Sequence, residues 1–307
     1  MNMRFNILVF VALFSIHNLF AQEIKPVLEK TDDIPIEVYH DSLKIYNDLL
    51  VNGATEDIRA RASYEIIKSF SRALRKKNAF SYHFDSLTSV AILTPEDQKF
   101  KIFTWQLELD NGTYRYFGVI QSNDMLPKLQ PLVDYGDFYE DPSTVIVDGD
   151  RWIGALYYNI IPYTYKKQTY YALLGWDGNN AITNKKYIEI LWFDESGKAK
   201  FGYPAFETHQ KNNLCRYILE YRKDATLSLN YYSDEKRIFF DHLVPMSGNE
   251  EAGAFEMVPD GTIEAFELKK GKWRHINMVD YDRLEDGEAP NVSEKQKRPL
   301  YQPQQKR

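Results

Sequence analysis

The sequence predicts a mainly β fold preceded by an N-terminal helical hairpin, and three observations carry that expectation. Apolar residues recur at helical steps between Ile36 and Leu74. From about Phe80 the period changes to two. The alternating segments are then punctuated by Asn, Asp and Gly turns. Roughly a dozen short strands joined in this way indicate an antiparallel meander, folded as a large sandwich or an open barrel. A small β-propeller is the alternative, but its blades should show a recurring Gly/Trp/Asp signature, and none recurs here. By weight of strands the class reads as all-beta, with the hairpin as an addition.

Residues 1–21 read as a secretory signal peptide. Arg4 precedes the apolar run Ile7 to Phe14, and small Ala21 stands before Gln22 and Glu23. The run is shorter than the ~20 apolar residues of a membrane-spanning helix, so cleavage near Ala21 is expected. No second long apolar stretch follows, which predicts a soluble mature chain without a transmembrane segment, in the periplasm or outside the cell. Residues 22–35, with Pro26 and Pro35, form a linker.

The helical hairpin is expected over 36–78. Tyr39, Leu43, Tyr46 and Leu50 share one face of a first helix, which Asn52-Gly53 stops. Thr55 caps a second helix, Glu56 and Asp57 occupy its first turn, and Ile58, Ala62, Ile66, Phe70 and Leu74 form its apolar stripe. Arg72, Arg75, Lys76 and Lys77 suit the helix C-terminus electrostatically, which disfavours an anion site there.

The antiparallel β-domain is expected over 79–283. Phe103, Trp105, Leu107 and Leu109 alternate with polar residues, and Asp110-Asn111-Gly112-Thr113 turns the chain into Tyr114–Gln121. Further pairs are expected across Asp148-Gly149-Asp150, across the longer turn between Tyr170–Trp176 and Tyr187–Phe193, and across Lys223-Asp224. Pro259-Asp260-Gly261 and Lys270-Gly271 mark the last turns. Residues 284–307 lose the apolar period, and their final stretch is rich in Lys, Arg, Pro and Gln, so a disordered basic tail is expected.

Composition excludes several function classes. The chain has 307 residues, with 5 Trp, 22 Tyr and 18 Phe, enough aromatic mass for a large core. A net charge of −6 argues against sequence-independent nucleic-acid binding. Cys215 is the single cysteine, which excludes an intramolecular disulfide framework and a Cys-rich zinc site. Its setting in an alternating segment suits a buried small hydrophobe better than a nucleophile.

Leu19-Phe20-Ala21-Gln22 resembles signal-peptide endings common in Bacteroidetes-type bacteria. The stretch Tyr170 to Gly202, including Gly175-Trp176-Asp177-Gly178-Asn179-Asn180, is similar to uncharacterised secreted β-rich proteins of that group. The resemblance implies export and no named activity. Asp41-Ser42-Leu43 and Asp85-Ser86-Leu87 are similar to the O-glycosylation acceptor pattern of the same group, which makes Ser86 a candidate for sugar attachment.

No motif for chemistry is complete. Gly-x-Ser-x-Gly, Ser-x-x-Lys and His-Glu-x-x-His are absent, and no catalytic residue or metal ligand is assigned. His40, His83, His209, His242 and His275 are dispersed, and the 33-residue steps between the last three lack any aligned context. Asp241 and His242 are strand neighbours and should point to opposite faces. No cofactor is expected, although Asp148-Gly149-Asp150 and Asp177-Gly178-Asn179-Asn180 are conceivable calcium loops without a full ligand pattern.

Two places concentrate binding chemistry. The loop Asp134-Tyr135-Gly136-Asp137-Phe138-Tyr139-Glu140-Asp141 follows Leu126–Leu132 in an irregular stretch, and Asp134, Tyr135, Asp137 and Tyr139 combine carboxylates with aromatic rings. The turn Trp176, Asp177, Asn179 and Asn180 sets an aromatic ring beside amides and a carboxylate. Both suit a glycan, or a protein of the cell envelope. A non-catalytic binding or interaction protein is therefore expected. The alternatives are a hydrolase using Asp134, Asp137, Glu140, Asp141 or Asp177, and a structural envelope protein docking a partner through the Tyr39/Leu43/Tyr46 face.

Overall fold

A computed structural model describes residues 34–209, 211–249 and 251–277. The expected signal peptide (1–21), the expected linker up to residue 33, the last residues of the expected β-domain (278–283) and the expected disordered tail (284–307) lie outside the described residues. Among the described residues no helix is long and apolar enough to cross a membrane.

Helices α1 (Ile36–Asn52) and α2 (Glu56–Ala73) form the expected hairpin. Thr55 caps α2, its hydroxyl accepting Ile58 N at 3.4 Å. Gly53 is required between them, since a Cβ there would stand 2.5 Å from Leu49 O. Tyr39, Leu43, Leu50, Ile66 and Phe70 are buried against Phe103, Trp105, Leu107 and Val119 of the first sheet. The Tyr39/Leu43 face is therefore covered by the chain itself.

Among the described residues three unclosed sheets follow. The first is β1 (Val90–Leu93), β2 (Phe100–Glu108), β3 (Tyr114–Ser122) and β4 (Leu129–Val133) in sequential antiparallel order. The second contains β5 (Val147–Asp148), β6 (Leu156–Tyr165), β7 (Gln168–Asp177), β8 (Thr183–Phe193) and β9 (Ala199–Phe201), in the order β5-β9-β8-β7-β6. The third contains β10 (Phe206–Glu207), β11 (Asn212–Leu214), β13 (Leu229–Tyr232), β14 (Arg237–Pro245), β15 (Met257–Lys269) and β16 (Lys272–Ile276). Their order is β11-β10-β16-β15-β14-β13. Strand β12 (Arg216–Arg222) leaves this run and pairs with β8 of the second sheet.

Three apolar cores define the layering. The hairpin covers one face of the first sheet. The opposite face, with Phe100, Ile102, Tyr116 and Ile120, packs on Tyr157, Tyr171, Leu173 and Leu191 of the second sheet. The far side of the second sheet, with Tyr170, Ala172, Leu174, Ile188 and Ile190, packs on Phe206, Ile238, Phe240, Phe266 and Trp273 of the third. The second sheet is buried on both faces, which explains why Tyr170–Trp176 reads as a nearly unbroken apolar run. The fold is thus a layered sandwich with a helical face, neither barrel nor propeller.

Several expectations need correction. The class is not all-beta, because helices of 17 and 18 residues form a full layer and half of one core. Asp148-Gly149-Asp150 is no hairpin turn. Val147 and Asp148 pair with Phe201 and Lys200, while Gly149–Arg151 forms a 3-10 turn. The partner of the strand after Cys215 is β8, not the segment at Leu227–Tyr231. Pro259-Asp260-Gly261 does not turn the chain either. β15 runs through it, and the irregularity is a bulge opposite Asp241–Leu243. Leu129–Val133 is strand rather than loop, and it tolerates Pro131 because β4 is an edge strand.

Candidate functional site

The loop after β4 begins with an anchor. Asp134 Oδ2 accepts Tyr116 N and its Oδ1 accepts Gly136 N, both at 3.0 Å. Tyr135 N donates to Trp152 O at 2.6 Å. Gly136 must be glycine, because a Cβ would stand 2.7 Å from Ile153 O. Burial raises the Asp134 pKa above its ordinary value, opposed by these two backbone N–H groups and by Arg115.

The anchored loop then displays its rings. Gly136–Phe138 forms a 3-10 turn. Phe138 is 67 % exposed and Tyr135 38 % exposed. Their rings stack with centroids 4.2 Å apart and planes 25° from parallel. Tyr139 meets Tyr135 edge-on at 6.1 Å, and its hydroxyl donates to Arg151 O at 3.2 Å. Beside this ledge Arg115 of β3 pairs with Asp137 at 2.9 Å. An exposed ring pair on an immobilised loop, flanked by a cation and an anion, offers both a stacking face and hydrogen-bond groups.

The Trp176–Asn180 turn is built differently. Asp177 is only 8 % exposed. Its Oδ1 accepts Tyr116 OH at 2.8 Å and Asn179 N at 2.6 Å, and its Oδ2 accepts Tyr187 OH at 3.1 Å. Burial raises its pKa against these bonds and the charge of Lys185. Asn179, in the left-handed region at φ 49°, donates from Nδ2 to Thr183 Oγ1 at 2.6 Å and Glu220 Oε1 at 3.1 Å. Asn180 Oδ1 accepts Ile182 N at 2.8 Å and Thr183 N at 2.9 Å. Trp176 is half-buried and edge-on to Tyr114 at 6.1 Å. These polar groups close the β7–β8 connection upon themselves.

Tyr116 joins the two places, its N–H on Asp134 and its hydroxyl on Asp177. The Asp177 turn therefore buttresses the ledge from behind, and the outward-facing chemistry belongs to Tyr135, Asp137, Phe138 and Arg115.

Asp141 and Asp148 are engaged in local bonds. Asp141 caps Ser143, accepting its backbone N–H at 3.0 Å, and hydrogen bonds from Ser143 hold its carboxyl below the usual range. Asp148 is held by Lys198 and by Lys200, the latter at 2.6 Å, so ammonium groups occupy the carboxylate that a calcium loop would use. Among the described residues no group of three or more His, Cys, Asp or Glu has metal-binding geometry. Two open concavities, of about 220 and 300 Å³, are lined by other residues.

Sequence reasoning misses two features. The first is the part played by Phe138 and Arg115. Phe138 lies within the aromatic loop, but Arg115 sits on another strand, so only the β3–β4 register brings it to Asp137. The second is that two of the three histidines at 33-residue steps, His209 and His275, meet, while His242 approaches them only through the Glu264 carboxylate that His275 also faces, at 4.0 Å. His242 Nδ1 lies 3.0 Å from Asp260, His275 Nε2 lies 3.0 Å from Glu264, and the His209 and His275 rings are 5.7 Å apart. The bulge in β15 that brings Asp260 to His242 has no sequence signature beyond Gly261, whose φ is +90°. Compared with known proteins, the chain matches no family model, no curated protein and no solved structure.

Proposed function

We propose that the chain is an exported binding protein of a bacterial cell envelope, with a glycan as ligand on the Tyr135–Phe138 ledge. The carrying observation is the stacked, exposed ring pair clamped by Asp134. A sugar ring presents axial C–H groups that pack on an aromatic face, and its hydroxyls hydrogen-bond to a carboxylate or guanidinium such as Asp137 and Arg115. Export rests on Arg4, the Ile7–Phe14 run and Ala21, together with the resemblance to secreted proteins of Bacteroidetes-type bacteria. The ledge performs no chemistry in this reading, since its buried carboxylate is spent on backbone N–H groups and its exposed one on Arg115.

A glycan array followed by calorimetry tests it. The wild type should retain at least one glycan class. Phe138→Ala should weaken binding by about 10- to 100-fold, the range for loss of an aromatic anchor. Trp176→Phe should leave affinity unchanged. A wild type that binds nothing at high micromolar concentration, or a Phe138→Ala variant of unchanged affinity, would sink the proposal.

A further inference from the structure

Helix α1 grips the segment that leads into β1. His40 and Asn47 are seven residues apart and so lie on one helix face. Asn47 Oδ1 accepts Ser89 N at 2.9 Å, and its Nδ2 donates to Thr88 Oγ1 at 3.3 Å. This clip holds the preceding residues against His40. His40 Nε2 lies 2.7 Å from Ser86 Oγ, and its Nδ1 lies 2.9 Å from Tyr82 OH. The imidazole also meets the Tyr82 and Phe84 rings edge-on, at 5.5 and 5.3 Å. Two hydrogen bonds and two ring contacts thus fix its position and plane.

The arrangement is that of an activated hydroxyl. With Nδ1 protonated and donating to the Tyr82 oxygen, the Nε2 lone pair faces the Ser86 hydroxyl. Burial and the nearby Lys44 lower the His40 pKa, while Asp41, Asp85 and Glu37 pull it upward. The net direction favours the neutral ring, the form a base needs. Ser86 itself is exposed. Its neighbours Asp85 and Leu87 line the concavity of about 300 Å³, whose wall includes Phe84, Val90 and Ile92. Lys101 lines the same concavity, with Nζ donating to Tyr82 O at 3.2 Å. An ammonium carries three donors, so its charge can also serve a carbonyl oxygen drawn into the concavity.

We propose that Ser86 is an acyl-accepting nucleophile, with His40 as its general base and Tyr82 as positioning residue, acting on small esters whose acyl group enters the adjoining concavity of mixed polar and apolar lining. Ser86 Oγ bonds to the ester carbonyl carbon as its proton passes to His40 Nε2. The C–O bond to the alcohol breaks, and His40 returns the proton to the departing oxygen. Water then attacks the acyl-Ser86 carbonyl and gives one proton to Nε2. The carboxylic acid leaves as Ser86 Oγ recovers that proton, and no other reactant is needed. The inference is independent of the glycan ledge and shares no residue with it. A sugar on Ser86 would block the same oxygen, so the intact mass of the protein is checked first.

The test uses the whole secreted chain, a fluorophosphonate probe and p-nitrophenyl acetate. One probe adduct should form, mapped to Ser86, and ester turnover should disappear in Ser86→Ala. His40→Gln should lower both by about 10²-fold, the scale of a lost general base. Tyr82→Phe should keep the adduct but shift the pH midpoint of labelling, which a purely structural contact would not do. Ser86→Cys gives a second readout, since its alkylation near neutral pH should slow about tenfold or more when His40 is also replaced by Gln. Absence of a Ser86 adduct, equal labelling in His40→Gln, or a thiol in the Ser86→Cys variant that is indifferent to residue 40 would overturn the proposal. The His40–Ser86 bond would then be only a loop clip.

Discussion

Replacing Arg216 by Met removes the cation from a fully dry ion pair. The Arg216 and Glu189 side chains are 0 % and 3 % exposed. Arg216 Nε donates to Glu189 Oε1 at 2.7 Å, and Nη1 donates to Val145 O at 3.0 Å. The other Glu189 oxygen accepts the Tyr157 hydroxyl, which in turn accepts Trp152 Nε1 at 2.7 Å. Arg216→Met leaves that carboxylate buried with a phenol as its remaining named partner. Stranding one member of a buried pair costs about 3–5 kcal/mol, a large part of the ~5–15 kcal/mol that holds a typical fold. At roughly 2–4 °C per kcal/mol for a large domain, Tm should fall by about 6–20 °C. Glu189→Leu should cost a similar amount. The double variant should cost much less than the sum, because it strands no charge and supplies apolar volume. Urea unfolding followed by tryptophan fluorescence measures all three. A loss under about 1 kcal/mol for Arg216→Met, or additive costs in the double variant, would refute the assignment of this pair as a structural keystone.

Other outcomes follow from local geometry. Gly271→Ala should destabilise by at least ~1–2 kcal/mol, because Gly271 has φ +76° and its Cβ would stand 2.2 Å from Tyr165 Cγ; an unchanged urea midpoint would contradict this. Thr55→Ala should cost about 1 kcal/mol through loss of the α2 cap, read by the same assay, with no change counting against the cap. Backbone and side-chain hydrogen bonds from Thr262, helped by His242, hold the Asp260 carboxyl down to about 2, against 3.8 ordinarily. Its folded pKa lies below the unfolded one, so the stabilisation is full above pH ~4 and is lost as pH falls toward 2. Asp260→Asn should flatten that acid limb, and an identical limb would exclude the bond network as its source. Cys215 is buried, and burial raises its thiol pKa, while Sγ donates to Thr144 O at 3.3 Å. Ellman's reagent should therefore react only once denaturant unfolds the chain, and prompt native labelling would contradict its burial.

The helical hairpin was readable because its determinants are local. Thr55, Glu56 and the Ile66/Phe70 spacing act within one or two turns of the chain. The hairpins around Gly112 and Gly271 were equally readable, since positive φ is demanded at the turn itself. Strand pairing was not local. Nothing around Arg216 announces that it lies opposite Glu189 of β8, because the same alternation would fit a hairpin with Leu229. Asp260-Gly261 misled because one dipeptide serves both turns and bulges. At the site, the Asp134–Asp141 loop stood out by its residue types, but the division of labour within it did not. Asp134 became an anchor through Tyr116, and Asp177 a buttress through the same tyrosine, which only the folded register reveals. His40 and Ser86 were each visible, yet their meeting depends on α1 packing beside the segment before β1.

The parallel pairing of β10 with β16 sets the order in which the molecule can assemble. The first sheet and its helices pair sequential neighbours, so they can form as the chain emerges. Phe206 has to wait for Trp273, whose backbone N–H meets Ala205 O at 2.8 Å. Until that distant segment arrives, Tyr170, Ala172, Leu174, Ile188 and Ile190 lack their full cover. High contact order at the carboxyl end makes the third sheet the late-closing step. A chain truncated before Lys272 would thus present the second sheet as a sticky intermediate, so synthesis through β16 is a precondition for a non-aggregating product.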